Sequence, residues 1–407
     1  MRTGDVPSLA DLDRVYFQGS TTELAMAVAA LPRVYALSMK QLYEQVIADV
    51  RDGKAGTIHP ELYRAYSDNL RKAVAGYADD DLKAQFEANL SRFAAYKAFH
   101  ATRQLERQLA DSDGVARSPE QFDRMARTVL NTFNRYQAAE YNTAVARART
   151  AHQWQLFSQA DNAMLFPNLR WLPSRSANPR EQHMPFYNRV WAKNDPFWNS
   201  NQPGNLWNCK CDWEETDDPV TGDNPEGIRP ARGLEGNPAK TGKIFTDECT
   251  YVKKAGKQEG QKIEEFYRYA TLTPKTDKPA WRQVQSQTEA AMKQTPSMTL
   301  NGKGYYTGKL YYGDDQKEAI VSHCFTTFEI EVAKRLEEML PKLKNGKYEP
   351  VNMQRKNYRK KQNEGVLHFT VYEFEYGLHT YELKCEAVKK NRWRNVVECP
   401  YSLKEKK

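Results

Sequence analysis

The chain has 407 residues and a formal net charge of +8, with 40% hydrophobic and 12% aromatic residues. Aromatic residues at this level exclude a disordered chain, and the length suggests two or three domains. The basic excess is compatible with a nucleic-acid partner and does not by itself establish one. Six cysteines over this length give no disulfide framework.

The N-terminal residues predict neither export nor membrane insertion. Residues 1–18 lack a basic start followed by an apolar core, so we expect no signal peptide. The most apolar window, Met26 to Leu37, is too short to span a bilayer, so no membrane partner is expected. We expect the chain to be made and folded in a cytoplasm.

Residues 1–160 predict a helical arm. After an entry segment, helices are expected over residues 36–52, 60–74 and 80–109. Ser118 can cap the next helix, Pro119 suits its first turn and Gln121 can complete a capping box. An apolar stripe then extends this helix to about Gln155.

Residues 161–255 have a different composition, in which tryptophans are interspersed with prolines and asparagines. A long helix is excluded by the prolines of this stretch: Pro167, Pro173, Pro179, Pro185, Pro196 and Pro203. The stretch therefore predicts a compact, irregular module, called here the Trp-rich module. Its core is expected to contain Trp171, Trp191, Trp198, Trp207 and Trp213.

Two cysteines of this module lie one residue apart. The spacing of Cys209 and Cys211 is shorter than that of a zinc-finger knuckle. Together with His183 they could provide three zinc ligands, and Asp212 or Cys249 could add a fourth. The other interpretation is that small buried thiols and a hydrogen-bonded histidine fill an aromatic core. Both interpretations stay open, and no other cofactor is expected.

Short motifs occur in a fixed order through this part of the chain. Arg180-x-x-His183 is followed by Asp195-Pro196-Phe197-Trp198 and then by Trp207-Asn208-Cys209-Lys210-Cys211. This order resembles the Mu F-like phage head morphogenesis family. The string from Glu140 to Ala144 and the segment from Gly233 to Pro238 also resemble that family, so the resemblance covers about residues 20–255.

The resemblance implies a function in virion assembly. Mu F-like proteins are minor head components of tailed phages, associated with the portal and the inside of the procapsid. They act in head assembly or DNA delivery. For this chain the resemblance implies phage portal and capsid proteins as partners. It also implies synthesis in the bacterial host cytoplasm and a final location in the procapsid interior. This half contains no nucleophile–base pair or phosphate loop, so we expect an assembly module here.

Residues 256–296 are polar and predict a linker with helical pieces, after which the pattern changes. Residues 297–407 predict an α+β domain in which a helix packs on an antiparallel meander. The helix is expected from Thr326, which fits a capping box with Glu329, to Leu343. Strands are expected over residues 366–374, 380–387 and 393–399. The chain as a whole is thus predicted to be multidomain.

Side-chain alternation predicts the two faces of the meander. Phe369 and Val371 are expected to share the face that packs on the helix with Leu383, which leaves His368 and Lys384 together on the open face. Such a face could cleave RNA without a metal. A histidine or glutamate would take the proton of a ribose 2′-hydroxyl, and a lysine or arginine would stabilise the phosphorane.

The order of helix and meander resembles the barnase–EndoU–colicin E5/D–RelE-like nuclease domains. Those domains occur at the C-termini of phage polyvalent proteins, so the resemblance implies a metal-independent ribonuclease or toxin domain. The candidate catalytic residues are His323, His368, Lys384 and Arg394. His323 precedes a helix N-terminus, where backbone N–H groups favour a phosphate.

Two basic runs with interleaved aromatics predict contacts with RNA or DNA. The candidate nucleic-acid-binding residues are Arg355, Lys356, Arg359, Lys360 and Arg392. The alternative to a nuclease is a purely structural virion protein, whose C-terminal domain only binds nucleic acid or a virion partner.

Overall fold

A computed structural model describes residues 33–54, 56, 58–78, 80–159, 164–221, 225, 228–292, 298–300, 303–305, 320–340, 343, 345–354, 358–363, 365–377, 379–389 and 396–406. The chain divides after Phe266 into two compact units, and each is described by itself. The boundary lies within residues 256–296, the segment predicted as a linker. The predicted fold class is confirmed: a helical N-terminal region precedes a C-terminal domain of helix and antiparallel strands.

Helices dominate the start of the N-terminal unit. Its first helices in the described residues are α1 (Arg33–Arg51), α2 (Pro60–Arg71), α3 (Asp81–Glu106) and α4 (Pro119–Phe157). The predicted capping box of α4 is confirmed, because Ser118 accepts from the Gln121 N–H and the Gln121 side chain accepts from the Ser118 N–H. No proline or glycine follows within α4, which explains how it continues for 39 residues.

The Trp-rich module contains a small sheet that the sequence did not predict. The described residues form three antiparallel strands in the order β2-β1-β3: β1 (Asn168–Leu172), β2 (Val190–Ala192) and β3 (Asp212–Thr216). Two 3₁₀ helices, Glu181–Phe186 and Pro196–Asn199, lie between these strands in the chain. Strands of three to five residues carry too little alternation to be recognised from the sequence.

Tryptophans fill the core of the module, as predicted. Trp171 and Trp213 are cross-strand partners, and the Trp191 ring stacks on Phe197 with 4.0 Å between ring centroids. All five tryptophans of the stretch are buried. Four of them form one cluster, and Trp207 packs outside it, where its ring stacks on Phe245 with 5.3 Å between ring centroids. Aromatic rings bury large apolar areas, so a short, irregular segment can still form a stable core.

Two short helices lie at the end of the module, α5 (Pro238–Thr241) and α6 (Thr250–Lys254), and α7 (Lys257–Ala270) follows it. Asn237 begins α5 by accepting from the Ala239 N–H. In α6, the Tyr251 carbonyl accepts from His100 of α3, with 2.7 Å between the oxygen and Nε2. These contacts attach the end of the module to the helical arm.

The C-terminal unit is built on a larger sheet. Its helices in the described part of the chain are α8 (Lys278–Met292), α9 (Thr327–Lys334), α10 (Leu336–Met339) and α11 (Tyr358–Asn363), with a 3₁₀ helix at Ile320–His323. Its strands are β4 (Met298–Leu300), β5 (Lys303–Tyr305), β6 (Lys347–Pro350), β7 (Val366–Tyr376), β8 (His379–Val388) and β9 (Val397–Glu405). They pair in the order β4-β5-β9-β8-β7-β6, antiparallel except where β5 meets β9.

The meander β7-β8-β9 is present, but two predicted boundaries were wrong. The capping box between Thr326 and Glu329 is confirmed, yet α9 ends at Lys334, because Arg335 leaves the helical conformation (φ −107°, ψ 17°). The third strand, predicted to end at residue 399, continues to Glu405 as β9. Residues 390–395 lie outside the described residues.

The register of β7 and β8 corrects the predicted faces of the sheet. Val371 lies opposite Lys384, and Thr370 lies opposite Cys385. Directly opposite residues of an antiparallel pair share a face. Lys384 therefore shares a face with Val371, whereas His368 shares the face of Thr370 and Cys385. Alternation within one strand does not determine which residues of the next strand lie opposite. The faces depend on the register between β7 and β8, which the sequence did not reveal.

Candidate functional site

A cleft of about 560 Å³ opens on the sheet of the C-terminal unit. It receives side chains from β6 to β9, from α11 and from the 3₁₀ helix before α9. The residues that matter for its chemistry are His323, Glu349, Lys361, Phe369, Lys384 and Tyr401. The structure thus brings together two of the four predicted catalytic residues, His323 and Lys384.

Two lysines of the cleft, Lys384 and Lys361, form ion pairs with glutamates. The Lys384 ammonium group donates to the Glu349 carboxylate. The Lys361 Nζ lies 2.7 Å from the Glu386 Oε1. The Lys384 side chain is 16% exposed and that of Lys361 is 10% exposed. Because little water surrounds these charges, an incoming anion would interact with them more strongly than with surface lysines.

Aromatic rings line the same cleft. The Lys384 Nζ lies 4.2 Å from the Phe369 ring centre, and the Lys361 Nζ lies 4.4 Å from the Tyr401 ring centre. The His323 ring, which is half-buried, lies 4.3 Å from Tyr401 between ring centroids. The cleft therefore combines an imidazole, carboxylates and ammonium groups with flat apolar surfaces on which a nucleobase could stack.

The helix N-terminus beside His323 does not offer its amides to a phosphate. The Glu329 Oε2 accepts from the N–H of Phe325 at 2.5 Å and from that of Thr326 at 3.1 Å. The Thr326 hydroxyl in turn accepts from the Glu329 N–H at 3.2 Å. The predicted phosphate site at this terminus is therefore corrected, because a carboxylate of the same helix already occupies it.

The other predicted residues of this unit are placed elsewhere. His368 lies on the face opposite Lys384, where its ring packs against Tyr348 at 4.9 Å, so it does not line the cleft. Arg359 is exposed on α11, and Lys360 belongs to the same helix. The remaining predicted basic residues lie outside the described residues: Arg355, Lys356, Arg392 and Arg394.

Sequence reasoning missed both Glu349 and Lys361. The strand that carries Glu349 has four residues, ends in proline and lacks apolar alternation, so nothing in the sequence marked it as a strand. Lys361 ends a basic run that was predicted to contact RNA or DNA, but it was not among the candidate residues. It is in fact buried, with 8% of its surface exposed, and its only sequence signal was membership of that run.

A second candidate site lies within the Trp-rich module. The His183 Nδ1 lies 3.4 Å from the Cys209 Sγ and 3.5 Å from the Cys211 Sγ. These three ligand atoms all lie within 4.8 Å of one another, and the three side chains are buried. The sequence prediction placed these residues in one cluster, and the structure brings them together.

The orientation of the His183 ring is fixed by a hydrogen bond from its second nitrogen, Nε2. Nε2 lies 2.7 Å from the Asn205 Oδ1, while the Asn205 Nδ2 donates to the Ser200 carbonyl at 3.3 Å. Because the amide oxygen of Asn205 can only accept, Nε2 carries the proton and donates. The lone pair of Nδ1 is then left facing the two thiols, which is the tautomer that a metal ligand needs.

The turn into Cys209 is held by the α4 string that carries the family resemblance. Asn208 adopts a left-handed conformation (φ 59°), and its N–H donates to the Thr143 hydroxyl at 2.8 Å. The Asn142 Nδ2 donates to the Asn208 Oδ1 at 3.2 Å. After the turn, the Cys211 N–H donates to the Cys209 Sγ at 3.4 Å. The two thiols are thus positioned by backbone contacts and by α4.

The two thiols ionise unequally. A hydrogen bond from Cys211 lowers the pKa of Cys209 well below its ordinary value, with a further contribution from His183. The same bond raises the pKa of Cys211, and burial raises it further. Cys209 is therefore the more acidic thiol of the pair.

Neither residue suggested as a fourth ligand joins this cluster. The Asp212 Oδ2 faces arginines, at 3.4 Å from Arg149 and 3.7 Å from Arg175. Cys249 packs against Gly233 instead, and burial raises the pKa of its thiol to about 12. In the part of the chain that the structure describes, the group of metal-ligating side chains at this place therefore consists of three residues.

Comparison of the chain with protein-family models, with curated proteins and with solved structures gives no match. Among the described residues, no helix combines the length and the apolar character that crossing a bilayer requires.

Proposed function

We propose that this chain is a minor head protein of the Mu F-like type, whose C-terminal unit is a metal-independent ribonuclease. The observation that carries the nuclease is the cleft that holds His323, Glu349, Lys361 and Lys384. The head-assembly part is supported by the motifs of the Trp-rich module, because they pack on one another. Arg180 donates to the Trp207 carbonyl at 3.1 Å, for example.

The cleft contains the groups that RNA cleavage needs. A phosphodiester that enters it would compete with Glu349 for Lys384, so that the Glu349 carboxylate could accept a proton. Lys384 and Lys361 would stabilise the negative charge that develops on the phosphoryl oxygens. His323 in its protonated form would act as the general acid, the counterpart of the Glu349 base.

The proposed reaction is an internal transesterification. The Glu349 carboxylate takes the proton of the 2′-hydroxyl, and the 2′-oxygen forms a bond to phosphorus. The bond from phosphorus to the 5′-oxygen breaks, and that oxygen takes a proton from His323. The products are a 2′,3′-cyclic phosphate and a 5′-hydroxyl. A nucleobase would stack on Tyr401, which is half-buried at the cleft.

Cleavage of labelled RNA by the purified full chain in EDTA tests the proposal. We expect the wild-type chain to cut, and His323→Ala and Lys384→Ala to lose about 100-fold or more of the rate. His368→Ala is the matched control for the histidine, because its ring lies on the opposite face. Lys347→Ala is the control for the lysine, because that side chain is 73% exposed and outside this cleft.

The alternative, a C-terminal domain that only binds, gives a different result in the same experiment. Lys361 and Lys384 are already paired with glutamates, which is compatible with a binding surface that lacks chemistry. In that case the RNA stays intact while the chain remains folded. Any affinity for nucleic acid would then fall steeply with salt, since it would depend on released counterions. Equal loss of cleavage in His323→Ala and His368→Ala would also contradict the proposed site.

The head-assembly role has its own test. Quantitative mass spectrometry of procapsids and virions from a phage that encodes this chain measures its copy number relative to the portal protein. We expect the chain in both particles at a small, constant number of copies. Its absence from both particles would contradict this part of the proposal and leave the nuclease unaffected.

A further inference from the structure

We infer that His183, Cys209 and Cys211 bind one zinc ion, which holds the 3₁₀ helix Glu181–Phe186 of the Trp-rich module against the segment that leads into β3. This inference is independent of the proposed ribonuclease, because it concerns the other unit of the chain. It starts from the convergence of three buried ligand atoms on one point.

The distances agree with a shared metal. Tetrahedral zinc with ordinary bond lengths to nitrogen and sulfur places these two atoms about 3.6 Å apart. The observed separations of the His183 Nδ1 from the two sulfurs are 3.4 and 3.5 Å. A single imidazole lone pair accepts one thiol hydrogen, so hydrogen bonding explains one of these contacts. An ion between the three atoms explains both.

The surroundings of the three residues also agree with a metal centre. Metal-bound histidines usually donate their second ring N–H to a fixed acceptor, and Asn205 is that acceptor here, itself fully buried. The N–H of Cys211 donates to the Cys209 sulfur, which favours a thiolate at that position. Thiolate and imidazole ligands select zinc over magnesium or calcium, which prefer oxygen.

The ion would have three protein ligands from the described residues and one further position. Asp212 is directed to Arg149, so its carboxylate does not reach the site. A small molecule such as water would take the fourth position. Because the ligands are buried, the role of the ion is to hold the 3₁₀ helix that carries His183 against the segment that leads into β3.

Metal analysis of the full chain tests this inference. The chain is purified with a thiol reductant, supplied with zinc, desalted and analysed for zinc by mass spectrometry. We expect about one zinc per chain in the wild type and less than about one-tenth of that in the Cys209→Ser and Cys211→Ser variants. Cys324→Ser is the matched control, because it makes the same change at a buried cysteine of the other unit and should keep the zinc.

Cobalt provides a readout that does not depend on the variants. Replacement of zinc by Co²⁺ in the wild-type chain should give the charge-transfer absorption of cobalt thiolate and the visible bands of tetrahedral cobalt. The inference is overturned if the reduced wild-type chain takes up neither metal, or if Cys209→Ser keeps as much as Cys324→Ser. It is also overturned if alkylation of anaerobically prepared protein reveals a disulfide between Cys209 and Cys211.

Discussion

Lys97 of α3 and Glu140 of α4 form an ion pair in which both side chains are completely buried. Their Nζ and Oε2 atoms lie 2.5 Å apart, and the Lys97 Nζ also donates to the Gln137 Oε1 at 2.7 Å. The second oxygen of Glu140 accepts from the Tyr251 hydroxyl at 3.1 Å. One charged pair thus connects α3 and α4 with α6, the short helix at the end of the Trp-rich module.

Removal of one partner of this pair should be costly. Lys97→Met leaves the Glu140 carboxylate buried without its cation, and we expect the free energy of unfolding to fall by about 3–5 kcal/mol. Denaturant unfolding of the full chain, followed in the N-terminal unit by tryptophan fluorescence, measures the change. The double variant Lys97→Met/Glu140→Gln should recover most of the loss, because no charge is then left buried. A double variant that loses as much as the two single variants together would contradict this account.

His100 should make stability depend on pH. Burial lowers the pKa of its imidazole from 6.5 to about 4. The His100 imidazole binds a proton near pH 6.5 in the unfolded chain but only near pH 4 in the folded chain. The contribution of the neutral, buried imidazole to the free energy of unfolding is therefore complete above pH 6.5 and is lost as the pH falls to 4. The expected loss of unfolding free energy over this range is about 3 kcal/mol.

His100→Gln isolates this dependence from that of the carboxylates. Glutamine can keep the donor to the Tyr251 carbonyl but does not titrate. We expect the difference in unfolding free energy between wild type and variant to shift in favour of the variant as the pH decreases from 6.5 to 4. Parallel stability curves for the two chains over this range would show that His100 is not the titrating group.

Gly233 should not tolerate a side chain. Its backbone is left-handed (φ 90°), and a Cβ atom there would lie 2.7 Å from the Cys249 Cβ and 2.9 Å from its Cα. Gly233→Ala should therefore destabilise by about 2–5 kcal/mol, through backbone strain and overpacking together. Gly53→Ala is the control, because Gly53 is also left-handed (φ 68°) but has open space around it. Equal losses of unfolding free energy in the two variants would contradict the proposed clash.

Local features of the fold could be predicted from the sequence. The helix starts at Ser118 and Thr326 were found because a capping box depends on residues three positions apart. The tryptophans of the module were assigned to the core because so many large aromatics cannot stay exposed. The grouping of His183 with Cys209 and Cys211 followed from the chemistry of these residue types and from their position within one short module.

Features that depend on distant pairing could not be predicted. The prediction that His368 and Lys384 share a face of the sheet was wrong, because the faces depend on the register between two strands. Glu349 escaped notice since a four-residue strand has no detectable period. Glu329 accepts from the N–H groups of Phe325 and Thr326 near His323, which shows that a helix start can use its own side chains to satisfy N–H groups that a ligand would otherwise contact.

The nature of the RNA ends produced by the full chain tests the central claim most directly. An RNA oligonucleotide is incubated with the chain in EDTA beside the same oligonucleotide with a 2′-deoxy sugar at the cleaved position, and the products are identified by mass spectrometry. The account predicts a 2′,3′-cyclic phosphate from the first substrate, no cut at the substituted position of the second, and no product with His323→Ala. Cleavage at the 2′-deoxy position, products that end in a 3′-hydroxyl, or intact RNA beside a folded chain would contradict it.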